Sequence, residues 1–471
     1  MVQPQLPLEL WLYIVQFIPE AVLRRQLLGV NRFFYEISMD LRYRQVELQT
    51  LKPATSKVIS RLSDPHVGKR VRSLTVSPDF RFYGQTRPVS LLNRITSALY
   101  YTFRLQPVFR PEEEATKALI NILPGLTNVT TFTIDSHSWG PHSGPDLPDF
   151  LQTAWSSFGS NLKKLSLRGH ASSFHTIIQS KPSFPLLEEL FLELIDNPLN
   201  PDRVCETKLM VTDVAPFINT LASQLITLTI WSWGTSDLSD FFLKLEEFPL
   251  LASFNLQTAF PKTFTIDPSG LARFLQKHCP TLERFVLRLN TAPSALQTLS
   301  EQTLGHWMKD CFAPVTFNRL RELHMYPTFQ SEGMGALVLC IQRSQSTLTN
   351  LVVRDRYLDL GEVEMIVTSL SAGLQFLRLN VKSLTPELLD VVSGLSGLKS
   401  LSLFIGNVSS DFIGDMETRL YEHWKLENIG VWLSGSWLDG KVMRSISLSI
   451  PSLTSFWGTG TLDLEGYNEL Q

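Results

Sequence analysis

The residues of this chain that could take part in catalysis are few and scattered. Gly68-Lys69-Arg70 ends like a phosphate-binding loop, but such a loop needs a glycine five positions before Gly68, and Ser63 stands there. The sequence has no G-x-S-x-G nucleophile elbow, no H-E-x-x-H zinc motif and no glycine-rich dinucleotide turn. We therefore expect a protein that is not an enzyme and needs no cofactor. An enzyme without a recognisable motif is the alternative.

Histidines and cysteines do not group in a way that would hold a metal ion. His137 and His142 lie in a stretch rich in Ser, Gly and Pro, residues 135–149, which predicts an exposed loop, and no third ligand is spaced to join them. The four cysteines are far apart in the sequence and form no C-x-x-C pair. Such cysteine usage is typical of a reducing compartment, so we expect a cytoplasmic or nuclear protein.

Composition favours a folded, soluble chain. The chain has 471 residues, of which 44% are hydrophobic and 18% are charged, enough for several core volumes. Its formal net charge of −3 lacks the basic excess that nucleic-acid-binding domains carry. No stretch approaches the roughly 18 consecutive apolar residues of a membrane span. Neither nucleic acid nor a membrane is therefore expected as a partner.

One pattern, L-x-x-L-x-L, recurs from about residue 70 to the end of the chain. Ten clear copies start at residues 162, 187, 225, 251, 282, 320, 348, 374, 398 and 426. Weaker copies start at residues 71, 129 and 453, and the pattern is hard to follow between residues 77 and 128. Most successive starts lie 24 to 28 residues apart, within the leucine-rich-repeat range of roughly 20 to 29 residues.

The alternation within each copy predicts a strand. The leucines point into the core, and the residues between them lie on the opposite sheet face. Apolar spacing predicts return helices over residues 266–279, 360–370 and 386–392. The predicted fold class is α/β, a solenoid with a curved parallel inner sheet.

One copy carries a family signature. Cys279-Pro280-Thr281-Leu282 and the following Phe285 and Leu287 resemble the C-P-x-L-x-x-L-x-L register of cysteine-containing leucine-rich repeats, which often follow an F-box. The resemblance implies that Cys279 packs as a small buried apolar group. Most other copies lack the Cys-Pro pair, so the array is irregular.

The first forty residues predict three short helices with more apolar surface than they can bury among themselves. Residues 6–18 (LPLELWLYIVQFI) are apolar on nearly every side of a helix. Two shorter patterns follow, over residues 22–30 and 33–37. A segment of this size is usually too small for a self-sufficient core. Part of its apolar surface should therefore meet a partner.

Two stretches of this segment resemble an F-box: Leu6-Pro7-x-Glu9-Leu10 followed by Ile14, and then Val30-Asn31-Arg32-Phe33-Phe34. The resemblance, to F-box proteins with irregular leucine-rich repeats of the fungal type, implies docking on a Skp-type adaptor and, through it, on a cullin scaffold. The adaptor contacts that it implies are Leu6, Pro7, Leu8, Leu10, Ile14, Val30 and Phe34. Two alternatives stay open, a secretory signal and a pair of helices that caps the repeat array.

The face of the sheet opposite the leucines is where a repeat protein presents side chains to a partner. Arginine and aromatic residues at such positions are typical of interaction anchors, and the excess of arginine favours an acidic or phosphorylated target. The alternative is that these side chains simply solvate the sheet. The predicted target-binding residues are Arg168, Trp231, Arg284, Arg288, His324, Tyr326, Arg354, Arg378 and Trp432.

The predicted organisation is an F-box over residues 1–48, a linker with irregular first repeats over 49–128, and a leucine-rich-repeat solenoid over 129–471. The resemblance implies a substrate-recognition subunit of a Skp-cullin ubiquitin ligase, with the target on the concave repeat face. The alternative is an interaction scaffold that takes no part in ubiquitin transfer.

Overall fold

The protein folds into two compact units, Met1–Ile195 and Asp196–Gln471. Strands and helices alternate in both units, which confirms the predicted α/β class. The predicted boundaries at residues 48 and 128 stay predictions. The computed structural model describes residues 6–49, 53–77, 111–136, 147–180, 182–195, 203–232, 237–258, 267–289, 301–326, 331–435 and 437–457.

The first unit begins with the three helices that the sequence predicts and continues with strands separated by helices. Its described helices are α1 Leu8–Val15, α2 Glu20–Arg25, α3 Arg32–Tyr43, α4 Pro53–Leu62, α5 Pro65–Gly68, α6 Pro111–Ile122, α7 Leu147–Phe158 and α8 Ala171–Gln179. Its described strands are β1 Gln45–Leu48, β2 Ser73–Val76, β3 Thr131–Asp135, β4 Lys164–Gly169 and β5 Glu189–Leu194.

The second unit repeats the same alternation. Its described helices are α9 Arg203–Leu209, continued by a π-turn at Met210–Val214, then α10 Ala215–Asn219, α11 Ser239–Lys244, α12 Ser269–His278, α13 Glu301–Phe312, α14 Ser331–Ser344, α15 Leu360–Ser369, α16 Pro386–Ser393, α17 Phe412–Met416 and α18 Gly440–Ser449. Its described strands are β6 Thr227–Ser232, β7 Ser253–Thr258, β8 Arg284–Leu289, β9 Glu322–Met325, β10 Asn350–Leu358, β11 Phe376–Leu384, β12 Ser400–Val408, β13 Asn428–Leu433 and β14 Ser455–Trp457.

Within each unit the strands pair in parallel and in chain order. Strands β1 to β5 form the sheet of the first unit, and β6 to β14 form the sheet of the second. The register aligns the repeats, so that Leu323, Leu351 and Leu377 are neighbours across three strands. All three are fully buried. The leucine-rich-repeat fold that the sequence predicts is therefore confirmed in both units.

The return helices begin where side chains can satisfy free backbone N–H groups. Asp359 and Glu362 form a reciprocal capping box at the start of α15, with both bonds 3.0 Å long. Thr385 accepts a bond from the N–H of Leu388 at the start of α16, where Pro386 is the first helical residue. The three predicted return helices are present as α12, α15 and α16, each within a few residues of the predicted bounds.

The repeat that begins at Cys279 is built differently from the prediction. Cys279 is half-buried at the end of α12, with its thiol directed to the carbonyl oxygen of Gln276. The buried residue is His278, only 1% exposed. Its Nδ1–H donates to the carbonyl oxygen of Phe274 at 2.6 Å, and its Nε2 accepts the N–H of Phe248 at 2.9 Å. The prediction of a buried Cys279 is wrong because His278 satisfies two backbone groups that a thiol could not reach together.

The turn before β12 provides a stability test. A Cβ atom added at Gly397 would collide with the backbone carbonyl oxygen of Ala372, which lies in the turn before β11. We expect Gly397→Ala to lower the free energy of unfolding by about 1–3 kcal/mol, the cost typical of overpacking. Chemical denaturation monitored by circular dichroism measures this.

The matched control is Gly335→Ala in the middle of α14, where an added Cβ meets nothing within 4 Å. This variant should gain about 0.5–1 kcal/mol, since alanine loses less backbone entropy than glycine on forming a helix. Equal effects of the two substitutions would contradict the assigned close approach at Gly397.

Candidate interaction surfaces

Exposed apolar side chains are concentrated in the N-terminal helices. Eight of the eighteen large hydrophobic side chains that are exposed among the described residues fall between residues 6 and 35. A concentration of exposed apolar side chains in one segment is typical of a protein interaction site. We call the following set the N-terminal apolar surface: Leu6, Leu10, Leu12, Tyr13, Ile14, Phe17 and Val30.

The helices that carry this surface are held to one another by a small aromatic core. The indole of Trp11 in α1 lies 5.6 Å from the ring of Phe33 and 5.4 Å from that of Phe34 in α3. The hydroxyl of Ser38 donates to the carbonyl oxygen of Leu23 at 2.6 Å and joins α3 to α2. One side of α1 therefore packs in the aromatic core, and the other side is exposed to solvent.

A half-buried cation, Arg70, ties α3 to the repeats that follow. Arg70 forms ion pairs with Glu36 and Asp40, one turn apart on α3. The pKa of Glu36 lies below its ordinary value, and the hydrogen bond from Arg70 is the largest cause. The N-terminal helices therefore have a fixed attachment through α3.

The structure separates the predicted adaptor contacts into two groups. Leu6, Leu10, Ile14 and Val30 are 38–59% exposed, and Pro7 is exposed as well. Phe34 is only 6% exposed because it packs against Trp11, so it supports the surface from within. The side chain of Leu8 lies outside the described residues. Tyr13 and Phe17 are 59% and 69% exposed, and neither was among the predicted contacts.

In the first unit, the sheet face opposite the leucines carries paired charges. Arg168 lies 3.4 Å from Glu193 and its guanidinium lies over the ring of Phe191, 5.7 Å from the centroid. Lys164 makes a further pair with Glu189 at 3.0 Å. Cation and carboxylate alternate across β4 and β5, so the predicted excess of positive charge is absent from this part of the face.

In the second unit, the same face carries a cluster of three titratable side chains on β8 and β9. Glu322 accepts from Nε2 of His324 at 2.7 Å and from Arg284 at 3.0 Å. The bond from His324 is the largest cause that lowers the pKa of Glu322, to about 2. Burial lowers the pKa of His324 below its ordinary value, although the hydrogen bond and the charge of Glu322 act in the opposite direction. At pH 7 the imidazole of His324 is therefore neutral and donates a hydrogen bond. The carboxylate of Glu322 already accepts from both His324 and Arg284.

Arg288 is clamped by a carboxylate two strands away. Its Nε and Nη2 donate to the two oxygens of Asp355 at 2.9 and 3.0 Å, and both side chains are less than 20% exposed. Asp355 has a φ of 71°, the one positive value among the described residues other than glycine. The pairing of β10 with β11 shifts register after Val353. The bidentate bond therefore fixes a left-handed residue at a bulge.

A stack of one guanidinium and two aromatic rings crosses β11, β12 and β13. The guanidinium of Arg378 lies 4.6 Å from the ring centroid of Phe404. Phe404 in turn stacks on Trp432, with centroids 4.9 Å apart and planes inclined by 12°. Sequence reasoning selected Arg378 and Trp432 but not Trp457, which follows on β14, is 44% exposed and lies against Gly430. We call Arg378, Phe404, Trp432 and Trp457 the arginine–aromatic stack.

The remaining predicted target contacts have different surroundings. Tyr326 is only 2% exposed, and its N–H donates to the carbonyl oxygen of Leu287, so its prediction as a surface contact is wrong. Tyr326 directly follows the short strand β9, which ends at Met325. Trp231 on β6 and Arg354 on β10 are half-buried and lie on different parts of the sheet.

Metal and membrane sites were also sought in the described part of the chain. No group of three His, Cys, Asp or Glu side chains there is placed to hold a metal ion. His137 and His142 lie outside the described residues. None of the described helices combines the length and the apolar character needed to cross a membrane.

Comparison with known proteins gives only distant likenesses. No protein-family model matches the chain, and no curated protein matches it. Among solved structures, the crystal structure of the Rad7–Elc1 complex of yeast is 14% identical, with a TM-score of 0.29, over 87% of this chain and 96% of that one. A Bacteroides fragilis protein is 13% identical, with a TM-score of 0.28, over 62% of this chain and 64% of that one. Likenesses at these TM-scores support no inference about function.

Proposed function

We propose that the protein is a substrate-recognition subunit of a Skp-cullin ubiquitin ligase. The N-terminal apolar surface would bind a Skp-type adaptor, and the repeat sheet would bind the target. The observation that carries the proposal is the concentration of exposed apolar side chains on the segment whose sequence resembles an F-box. Exposed apolar patches rarely persist on soluble proteins unless a partner covers them.

In this proposal the protein performs no chemistry of its own. Its contribution is placement, because holding a target beside a ubiquitin-loaded conjugating enzyme raises the effective concentration of the target lysine. The proposed adaptor contacts are Leu6, Pro7, Leu10, Ile14 and Val30, to which exposure adds Tyr13 and Phe17. Phe34 would act as their internal support.

The adaptor contact is tested by substitution on α1. Leu10 and Ile14 are one helical turn apart and both are exposed, so Leu10→Asp/Ile14→Asp changes the surface without creating a cavity. We expect this variant of the full chain to bind a Skp-type adaptor at least about 30-fold more weakly, as for loss of interface anchors. Co-purification followed by titration calorimetry measures the effect.

The matched control is Leu420→Asp, because Leu420 is 58% exposed and lies in the second unit. This variant should bind the adaptor like the unmodified chain. Circular dichroism spectra of all three proteins should coincide. Failure of the intact chain to bind any Skp-type adaptor would contradict the proposal. Adaptor binding without transfer of ubiquitin to any bound target would favour the alternative, an interaction scaffold.

A further inference from the structure

We propose that a row of cations on the first unit binds a short acidic segment of a partner protein. The row runs along the edge of the sheet where the strands begin, and all of its members are exposed. We call the following set the basic rim: Arg44, Lys69, Arg72 and Lys163. The inference goes beyond the proposed function and does not depend on it.

The first support is the alignment of the repeats. Strands β1 to β4 begin in register. The residues that directly precede these strands therefore form one line: Arg44, Arg72, Thr130 and Lys163. The N–H of Arg72 donates to the carbonyl oxygen of Arg44 at 2.9 Å, and the N–H of Thr130 donates to that of Arg72 at 2.9 Å. Neighbouring parallel strands are about 4.8 Å apart, so the line spans about 14 Å.

The second support is that carboxylates do not balance most of this charge. Neither Arg44 nor Lys69 forms an ion pair with any residue that the structure describes. Arg72 donates through Nη1 to the backbone carbonyl oxygen of Asn128 at 3.4 Å, and Asn128 in turn donates to the carbonyl oxygen of Lys69 at 2.7 Å. Both acceptors are neutral. Like charges on neighbouring strands repel, so an anion placed between Arg44 and Arg72 would stabilise this edge.

The third support comes from the corresponding line of the second unit, which is balanced. Its charged members form two neighbouring pairs of opposite sign, Glu283 with Arg321 and Lys399 with Glu427. The same backbone bonds align them, since the N–H of Arg321 donates to the carbonyl oxygen of Glu283 at 2.8 Å. The position before a strand therefore does not by itself select cations. The basic rim is a property of the first repeats and is complementary to negative charge.

The length of the basic rim limits the size of the bound segment. At its far end, Lys163 lies 3.6 Å from the carboxylate of Glu188 on the next repeat, so the excess of positive charge stops there. An extended chain advances about 3.3 Å per residue, and about four or five residues would therefore cover the line. Arginine holds a carboxylate through two parallel N–H···O bonds. A short run of Asp or Glu residues fits this surface in both length and chemistry.

A nucleic acid is a poorer match to the same charges. Proteins that hold single strands place aromatic side chains between their cations, so that bases can stack on them. The line from Arg44 to Lys163 contains no aromatic residue. The whole chain has a formal net charge of −3, and a nucleic-acid-binding domain normally has a strong basic excess. The basic rim therefore favours an acidic peptide.

The test uses the full chain with fluorescein-labelled hexaglutamate and hexalysine. Fluorescence anisotropy should report tighter binding of hexaglutamate, and added salt should weaken that binding because the charges are exposed. Arg44→Gln/Arg72→Gln should weaken it at least about 10-fold, the loss typical of anchor residues. Arg44→Glu/Arg72→Glu should reverse the preference and bind hexalysine more tightly. This gain of binding cannot come from a protein that has failed to fold.

The matched control is Arg321→Gln/Lys399→Gln, which removes the same charge from exposed residues at the corresponding positions of the second unit. It should leave hexaglutamate binding within about 2-fold, as for positions outside an interface. Equal binding of the two peptides, unchanged binding by Arg44→Gln/Arg72→Gln, or an equal loss in the control would overturn the inference. Displacement of hexaglutamate by a much lower concentration of oligodeoxythymidine than of unlabelled peptide would also overturn it and assign the basic rim to nucleic acid.

Discussion

Replacement of Phe274 by alanine is expected to lower the free energy of unfolding by about 4 kcal/mol, in the range for buried aromatic residues that leave a cavity. Phe274 on α12 is fully buried. Its ring lies 4.8 Å from that of Phe254, 5.6 Å from Phe242 and 4.3 Å from the imidazole of His278. These partners come from a strand and two helices. Removal of the Phe274 ring therefore weakens the packing between all three elements.

Denaturation in guanidinium chloride, followed by circular dichroism, measures this loss. In a repeat protein each repeat contacts mainly its neighbours. The denaturation midpoint of the second unit, which contains Phe274, should therefore shift more than that of the first unit. The control is Leu250→Ala, because Leu250 is 53% exposed in the same unit and should change stability by less than about 0.5 kcal/mol. A comparable effect of the two substitutions would contradict the packing assigned to Phe274.

Acidification is expected to destabilise the second unit through His278. Burial lowers the pKa of its imidazole from the ordinary 6.5 to about 4. Because Nε2 accepts the N–H of Phe248, a proton there would break that bond. The unfolded chain takes up the proton at a higher pH than the folded one, so stability is complete above about pH 6.5 and falls as the pH approaches 4. The loss amounts to about 3 kcal/mol.

The measurement compares urea midpoints between pH 7 and pH 4 for the unmodified chain and for His278→Gln, whose side chain does not titrate. The variant should be less stable at pH 7 but lose less stability on acidification. His324 contributes in the same direction below pH 6.5 and Glu322 below about pH 4.5, and both contributions persist in the variant. Leu250→Ala, at an exposed apolar position, should keep the unmodified profile. A profile of His278→Gln as steep as that of the unmodified chain would rule out this role of His278.

The repeat fold followed from local sequence pattern. Alternation in a strand sets which side chains share a face, so the copy that contains Leu320, Leu323 and Met325 could be recognised without any knowledge of its neighbours. The N-terminal helices were predictable for the same reason, because their apolar residues recur at helical spacing over residues 6–18, 22–30 and 33–37. Helix bounds were also close, since Asp359 and Thr385 act on the backbone within three residues.

The candidate sites were less accessible to sequence reasoning. Position on the sheet face predicted Arg168, Arg288 and Arg378 as equivalent contacts, but their partners differ. Arg168 meets Glu193 on the next strand, and Arg288 meets Asp355, which is 67 residues away. Arg378 instead lies on Phe404. No one-dimensional pattern encodes which carboxylate reaches which arginine across two strands and a bulge.

The sequence by itself determined the repeat period, the buried leucines, the three N-terminal helices and the resemblance to an F-box, because each depends on residues a few positions apart. Only the tertiary structure decided that Phe34 and Tyr326 are buried, that His278 rather than Cys279 occupies the core, and that Trp457 lies against Gly430. Those outcomes depend on which residues of neighbouring repeats come into contact. Contacts of this kind are set by the packing of distant segments, where the burial of one side chain excludes another.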